Sequence, residues 1–157
     1  MRTLKENFFG NLGIGKVAKI EEWLKKYKIT NYTINSDFTI DVNSKVDLSR
    51  YPDKEFPEYI KFNIIRGVFN VSNSNLTSLK GCPNKCNIFY CNHCNNLTSL
   101  EGAPNRCRSF YCNHCNNLTS LEGAPKECII FSCHDCKCDF SKEDVKKVCN
   151  AKNIWCD

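Results

Sequence analysis

The sequence lacks the features of several large classes of protein. It has no apolar run long enough to cross a membrane, and residues 1–15 lack the apolar core of a secretory signal peptide. It also lacks a glycine-rich phosphate loop and the Gly-x-Ser-x-Gly motif of serine hydrolases. These absences favour a protein in the cytoplasm of the producing or infected cell, and they give no support to an enzymatic function.

A strong excess of charge of either sign is also missing. The chain has 22 basic and 17 acidic residues among 157, which gives a net charge of +5. Lys25, Lys26 and Lys28 lie close together, but no basic run is long enough to predict nucleic-acid binding. Apolar residues make up 41% of the chain, so it should fold as one domain or as one repeat array with caps.

The chief feature of the sequence is a repeat with a fixed period. Residues 75–83, 96–104 and 117–125 share the pattern Asn-Leu-Thr-Ser-Leu-x-Gly-x-Pro, with 21 residues between the starts of successive copies. A second pattern, Cys-x-x-Phe-x-Cys-x-x-Cys, begins at Cys86, Cys107 and Cys128. Each unit is too short to bury its own apolar face, so it must stack on its neighbours. The period therefore predicts a solenoid.

Each unit should combine a short strand with an extended return segment. Phe110 and Cys112 alternate with Tyr111, as inward and outward residues do along a strand. The Leu-Thr-Ser-Leu half has no room for a helix, and the proline that ends it would break one. Its glycine allows the chain to bend towards the next strand.

The unit from Cys107 to Leu121 resembles the leucine-rich repeat, with cysteine or phenylalanine at several leucine positions. The resemblance is to the short repeats of bacterial effectors, and more closely to small repeat proteins of tailed phages, over residues 46–137. It implies an arch of short parallel strands. It also implies a protein partner, which for a phage protein would be a host or defence protein that the chain inhibits. It implies no reaction.

The sequence on either side of the repeats predicts caps. We assign residues 1–45 to an amino-terminal cap, residues 46–138 to the solenoid and residues 139–157 to a carboxy-terminal cap. The apolar ends of a solenoid need such covers.

Local patterns predict the elements of both caps. Apolar residues at helical spacing predict an amphipathic helix over 16–27, and alternation predicts a hairpin over 33–48. Ser141 is a good N-cap for a short helix. After this helix, Ile154 and Trp155 are expected to fold back over the last repeat.

The 13 cysteines allow two interpretations. Tandem Cys-x-x-Cys pairs have the spacing of zinc sites, and the alternative zinc ligands are Cys91, Cys94, Cys112, Cys115, Cys133 and Cys136. His93, His114 and His134 lie close enough in sequence to compete with them. The other interpretation is a set of buried, reduced thiols, multiplied by duplication of one unit. We favour buried thiols without a cofactor, because a zinc motif does not need the additional Cys86, Cys107 and Cys128.

The residues beside the inward phenylalanines form a candidate contact surface on the concave face. Tyrosine is enriched at protein interfaces, since it combines a large contact area with a polar group. The candidate partner-binding residues are Tyr90, Asn92, His93, Tyr111, Asn113, His114, Ser132, His134 and Asp135. The sequence thus predicts a non-enzymatic protein-binding repeat protein. The alternative is a zinc-stabilised, cysteine-rich module that binds nucleic acid.

Overall fold

The computed structural model describes the backbone of residues 11–156 and the side chains of residues 13–156. The elements are α1 (Asn11–Lys26), β1 (Tyr32–Ile34), β2 (Ile40–Val42), β3 (Val46–Asp47), β4 (Phe62–Asn70), β5 (Lys85–Tyr90), β6 (Arg106–Tyr111), β7 (Glu127–Ser132), α2 (Lys142–Val148) and β8 (Asn150–Trp155). The strands form one sheet in the order β1-β2-β4-β5-β6-β7-β8, with β3 beside β4. Only β1 and β2 pair antiparallel among these strands.

The architecture is a β-solenoid of about six turns with a spacing near 21 residues, which confirms the predicted fold class. Equivalent residues of successive units lie directly beside one another in the sheet. Phe69, Phe89, Phe110 and Phe131 are fully buried, and their rings stack with centroid distances of 5.6, 5.3 and 5.2 Å. This column of rings forms the centre of the core, and the residues after Phe89 and Phe110, which are Tyr90 and Tyr111, are partly exposed.

The return segments bend at glycines, as predicted. Gly81, Gly102 and Gly123 have φ values of 90°, 89° and 85°. At Gly102 the preceding coil is so close that an added Cβ would lie 2.4 Å from backbone atoms of Leu79 and Lys80. Glycine is therefore needed at this bend both for its φ and for the close approach of two coils.

Helix α1 covers the first coil of the solenoid. It begins at Asn11 rather than at residue 16, and it ends at Lys26. Ile20 and Leu24 are fully buried, and the Trp23 ring lies edge-on to Phe56 at a centroid distance of 5.9 Å. The helix thus packs an apolar side against the aromatic residues of the first coil. Neither helix of the described chain has the length and apolarity that a bilayer span requires.

The predicted hairpin over 33–48 is divided between two types of pairing. Strands β1 and β2 form an antiparallel pair, with Tyr32 opposite Val42. Residues 46 and 47 form β3, which instead pairs parallel to β4. The parallel solenoid sheet therefore begins inside the segment that the sequence assigned to the hairpin.

The last coil is closed by a helix and a further strand. Ser141 caps α2 as predicted: its Oγ accepts a hydrogen bond from the Asp144 N–H at 3.2 Å, and its N–H donates to Asp144 Oδ2 at 3.1 Å. Ile154 and Trp155 lie against the last repeat, but as part of a further strand that the sequence analysis did not foresee. They belong to β8, which runs parallel to β7 and places Ile154 beside Phe131. This pairing satisfies the backbone groups of β7 that would otherwise form an open edge.

Candidate functional site

One row of residues in register crosses the sheet from β4 to β8, and all of them except the buried Ser132 are at least partly exposed. Its members in register are Asn70, Tyr90, Tyr111, Ser132 and Trp155, which we call the aromatic row. The rings of Tyr90 and Tyr111 stack at a centroid distance of 4.9 Å and an interplanar angle of 19°. Both tyrosines are partly exposed, and the Trp155 side chain is 53% exposed. The row therefore presents three large aromatic side chains on the outer face of the sheet.

Two predicted contact residues hold the structure together instead of facing solvent. Ser132 is only 1% exposed, and its Oγ donates a hydrogen bond to Asn113 Oδ1 at 2.7 Å. Asn113 is also buried, and its Oδ1 accepts a second hydrogen bond from the His134 N–H at 3.1 Å. Because neither side chain has surface left for a partner, the candidate contact surface is reduced to the other predicted residues, to which the position of Trp155 adds one more.

Asparagine side chains connect the turns that follow the strands. Asn92 Oδ1 accepts a hydrogen bond from the Asn113 N–H at 2.9 Å. Asn95 Oδ1 accepts one from the Asn116 N–H at 3.1 Å. These bonds join residues one coil apart, so they continue the hydrogen bonding of the sheet into the turns. Side chains that project from these turns are consequently held in defined positions.

The turns carry a histidine cluster, which comprises His93, His114, His134 and Asp135. His93, His114 and Asp135 occupy equivalent left-handed positions, with φ values of 56°, 56° and 54°. The imidazole rings of His93 and His114 stack at 4.6 Å. Asp135 Oδ2 lies 2.9 Å from His134 Nδ1 and 3.5 Å from His114 Nδ1. The hydrogen bond with His134 lowers the pKa of Asp135, so this carboxyl group is ionised at neutral pH.

The cysteines of the Cys-x-x-Cys pairs lie inside the solenoid. The second cysteine of each pair donates its S–H to a backbone carbonyl of the preceding coil. These bonds join Cys94 to Val71 at 3.2 Å, Cys115 to Cys91 at 3.2 Å and Cys136 to Cys112 at 3.1 Å. A thiol needs its proton to make such a bond. The geometry therefore suits protonated thiols in a packed core.

The thiols differ in their surroundings. Burial raises the pKa of Cys91 and Cys112, which are fully buried. Cys136 is the one cysteine of these pairs that is partly exposed. Cys136 should therefore be the first of the paired cysteines to react. Cys133, the first cysteine of the last pair, is buried like its counterparts.

We expect a brief treatment of the reduced, native protein with Ellman's reagent to modify at most Cys136, Cys138 and Cys156. The other ten cysteines are buried, whereas these three are partly exposed. Unfolding in guanidinium should make all 13 thiols reactive. A chelator should leave the native count unchanged. A rise in reactive thiols on chelation would instead support the zinc alternative, because metal release would free its ligands.

A shallow groove crosses the first halves of the same strands. Its volume is about 820 Å³. Its basic lining residues are Arg66, Lys85, Arg106, Arg108 and Lys152. One acidic residue, Glu127, also lines it and pairs with Arg106 through the Nε–H at 2.9 Å. The groove, which we call the basic groove, therefore keeps a net positive charge.

Comparison with known proteins identified no relative of this chain. No protein-family model, no curated protein and no solved structure matches it. Its function therefore has to be inferred from its own geometry.

Proposed function

We propose that this chain is a non-catalytic binding protein whose aromatic row contacts a protein partner. The observation that carries the proposal is the in-register stack of Tyr90 and Tyr111, with Trp155 exposed farther along the same row. Tyrosine and tryptophan are the residues most often found at the energetic centres of protein interfaces. The sheet holds these rings in place before binding, so little side-chain entropy is lost when a partner docks.

The ring geometry favours a protein over a single-stranded nucleic acid. Nucleic-acid platforms offer open aromatic faces on which bases can stack. Here the rings of Tyr90 and Tyr111 stack on one another, with a centroid distance of 4.9 Å. A ligand therefore meets mainly ring edges, which suit the side chains and backbone of a protein surface.

We infer the charge of the partner from the basic groove. It crosses the first halves of the strands whose later residues form the aromatic row, and it has more basic than acidic side chains, with Arg66, Lys85 and Arg108 among them. A partner with acidic residues beside an apolar patch would match both features. Such complementarity speeds association and excludes partners of the wrong charge.

The partner class and mode of action that we propose also draw on the resemblance of the repeats to phage proteins. A phage repeat protein of this kind would bind a host or defence protein and inhibit it by occupying its surface. This reasoning is by analogy with a family, since a fold by itself does not specify a function. No catalytic residue is assigned, because most of the thiols are buried and protonated, which is the opposite of an activated nucleophile.

The test is capture of a partner by the tagged protein from extracts of the cells that contain it. We expect the double variant Tyr90→Ala, Tyr111→Ala to lose capture, because truncation of interface centres typically costs about 2 kcal/mol or more, roughly 30-fold in affinity. Its thermal unfolding should stay close to that of the wild type, since both side chains are partly exposed.

A matched control is Thr98→Ala, an exposed position in the return segment of the same coil. It should retain capture of the same protein. Trp155→Ala should weaken capture, which would show that the whole row takes part. Unchanged capture by the double tyrosine variant would contradict the proposal. Capture of nucleic acid in place of a protein, sensitive to nuclease, would favour the alternative function.

A further inference from the structure

Three side chains of the histidine cluster bring metal-binding atoms to one point at the edge of the sheet. One ligand atom each from His114, His134 and Asp135 lies within 4.8 Å of the other two. His114 comes from the turn after β6, and the other two come from the turn after β7. Among the side chains described for residues 13–156, no other group of three histidine, cysteine or carboxylate residues brings its ligand atoms this close together. The cysteines do not take part in it.

Two of the three distances between these ligand atoms are close to those around a tetrahedral ion. Zinc lies about 2.0 to 2.2 Å from imidazole nitrogen and carboxylate oxygen, so two ligand atoms of one ion are about 3.3 Å apart. Asp135 Oδ2 lies 2.9 Å from His134 Nδ1 and 3.5 Å from His114 Nδ1. The ligand atoms of His114 and His134 lie within 4.8 Å of each other, so the two imidazoles would move closer together around one cation.

Hydrogen bonds fix the backbone of the turns that carry these side chains. The His114 N–H donates to the His134 carbonyl at 3.0 Å, which ties the two turns together. The His134 N–H donates to Asn113 Oδ1 at 3.1 Å, and Asn113 is buried. Such supporting contacts orient ligands and are a regular part of metal sites.

We propose that His114, His134 and Asp135 form a binding site for a divalent transition-metal ion, with Zn²⁺, Ni²⁺ and Cu²⁺ as the chemical class. Two imidazoles and one carboxylate are ligands of intermediate softness, which suit these ions better than Mg²⁺ or Ca²⁺. Three protein ligands leave at least one coordination position open for water or for a side chain of a bound partner. The site goes beyond the proposed protein-binding function and departs from the expectation that the chain holds no metal.

The test is isothermal titration of the tag-free, reduced protein with Zn²⁺, accompanied by visible spectra of the Co²⁺ complex. We expect one ion per chain. We also expect a cobalt spectrum without the strong near-ultraviolet band that thiolate ligands produce, because no cysteine belongs to the group. This spectrum distinguishes the site from the zinc ligands Cys91, Cys94, Cys112, Cys115, Cys133 and Cys136.

The variants use residues that the repeat already tolerates at the same positions. His134→Asn places at residue 134 the amide that Asn113 carries one coil earlier and Asn92 two coils earlier, and Asp135→Asn has nearly the same shape as the wild type. Each should weaken metal binding at least tenfold, since even loss of a supporting contact costs about 10- to 100-fold. Circular dichroism should show that both variants remain folded.

The matched control is His93→Asn. His93 has the same left-handed backbone and stacks on His114, yet it lies outside the converging group. This change should leave the affinity for Zn²⁺ essentially unaltered. Absence of binding to the wild type, equal binding by the folded Asp135→Asn and His134→Asn variants, or a thiolate band in the cobalt spectrum would each overturn the proposal.

Discussion

Replacing Gly102 with alanine should destabilise the protein by about 2 to 5 kcal/mol. Two costs add at this position. The φ of 89° is one that residues with a Cβ rarely adopt. The new Cβ would also lie 2.4 Å from backbone atoms of Leu79 and Lys80, which cannot rotate away as a side chain could. Urea unfolding monitored by circular dichroism would measure the loss.

Gly15 supplies a control, because alanine at this position is expected to raise the free energy of unfolding instead of lowering it. It lies inside α1, and a Cβ built there meets nothing within 4 Å. Gly15→Ala should therefore stabilise the protein by up to about 1 kcal/mol, since alanine favours a helix over glycine by that amount. Gly123→Ala should behave like Gly102→Ala, because its Cβ would lie 2.5 Å from the Cα of Glu101. A Gly102→Ala variant as stable as the wild type would show that the coils are farther apart than described here.

Truncation of Phe110 to alanine should lower the free energy of unfolding by about 3 to 5 kcal/mol. Its ring is fully buried and lies between those of Phe89 and Phe131, at 5.3 and 5.2 Å. The cavity cannot collapse easily, because the paired strands on both sides hold the neighbouring rings in place. Loss of the ring should lower the midpoint of urea unfolding.

Tyr111→Ala is the matched control for this prediction. It removes an aromatic ring of nearly the same size from the next residue of the same strand, but on the partly exposed face. We expect it to lower the free energy of unfolding by about 1 kcal/mol or less. If Tyr111→Ala proved the more damaging change, the two faces of the strands would be reversed, and the aromatic row could not be a binding surface.

The rows of the solenoid could be predicted from the sequence because the repeats are nearly identical. When Phe89, Phe110 and Phe131 recur at a spacing of 21 residues in parallel strands, they must lie side by side. The same reasoning applies to Tyr90 and Tyr111. The glycine bends were predictable for a different reason, since Leu-x-Gly-x-Pro excludes a helix and only glycine adopts the required φ freely.

Strand β8 was missed although the sequence contained a signal for it. Ile154, Trp155 and Cys156 repeat the order Phe-Tyr-Cys of the earlier strands, but Ile154 follows Phe131 by 23 residues rather than 21. The segment between β7 and β8 contains helix α2, which the earlier coils lack, and its spacing is therefore different. A search for a strict period passes over such a unit, and this is why Trp155 was left out of the predicted contact surface.

The convergence of the metal-binding side chains could not be predicted from spacing. The first two units carry Asn-His after the strand, whereas the third carries His134 and Asp135. This one-residue shift brings an imidazole and a carboxylate beside His114 only because each turn has a left-handed residue that orients its side chain. The burial of Asn113 and Ser132 likewise depends on hydrogen bonds between coils, which a strand pattern does not specify.

The most direct measurement of the central claim is site-specific photo-crosslinking in the complex with the captured partner. A photoreactive benzoylphenylalanine is placed at Tyr111, in the aromatic row, or at Thr98, in the exposed return segment. If the aromatic row is the binding surface, irradiation should link the partner to position 111 and not to position 98. Crosslinking from position 98 alone would contradict this account and would place the binding surface on the return segments of the solenoid.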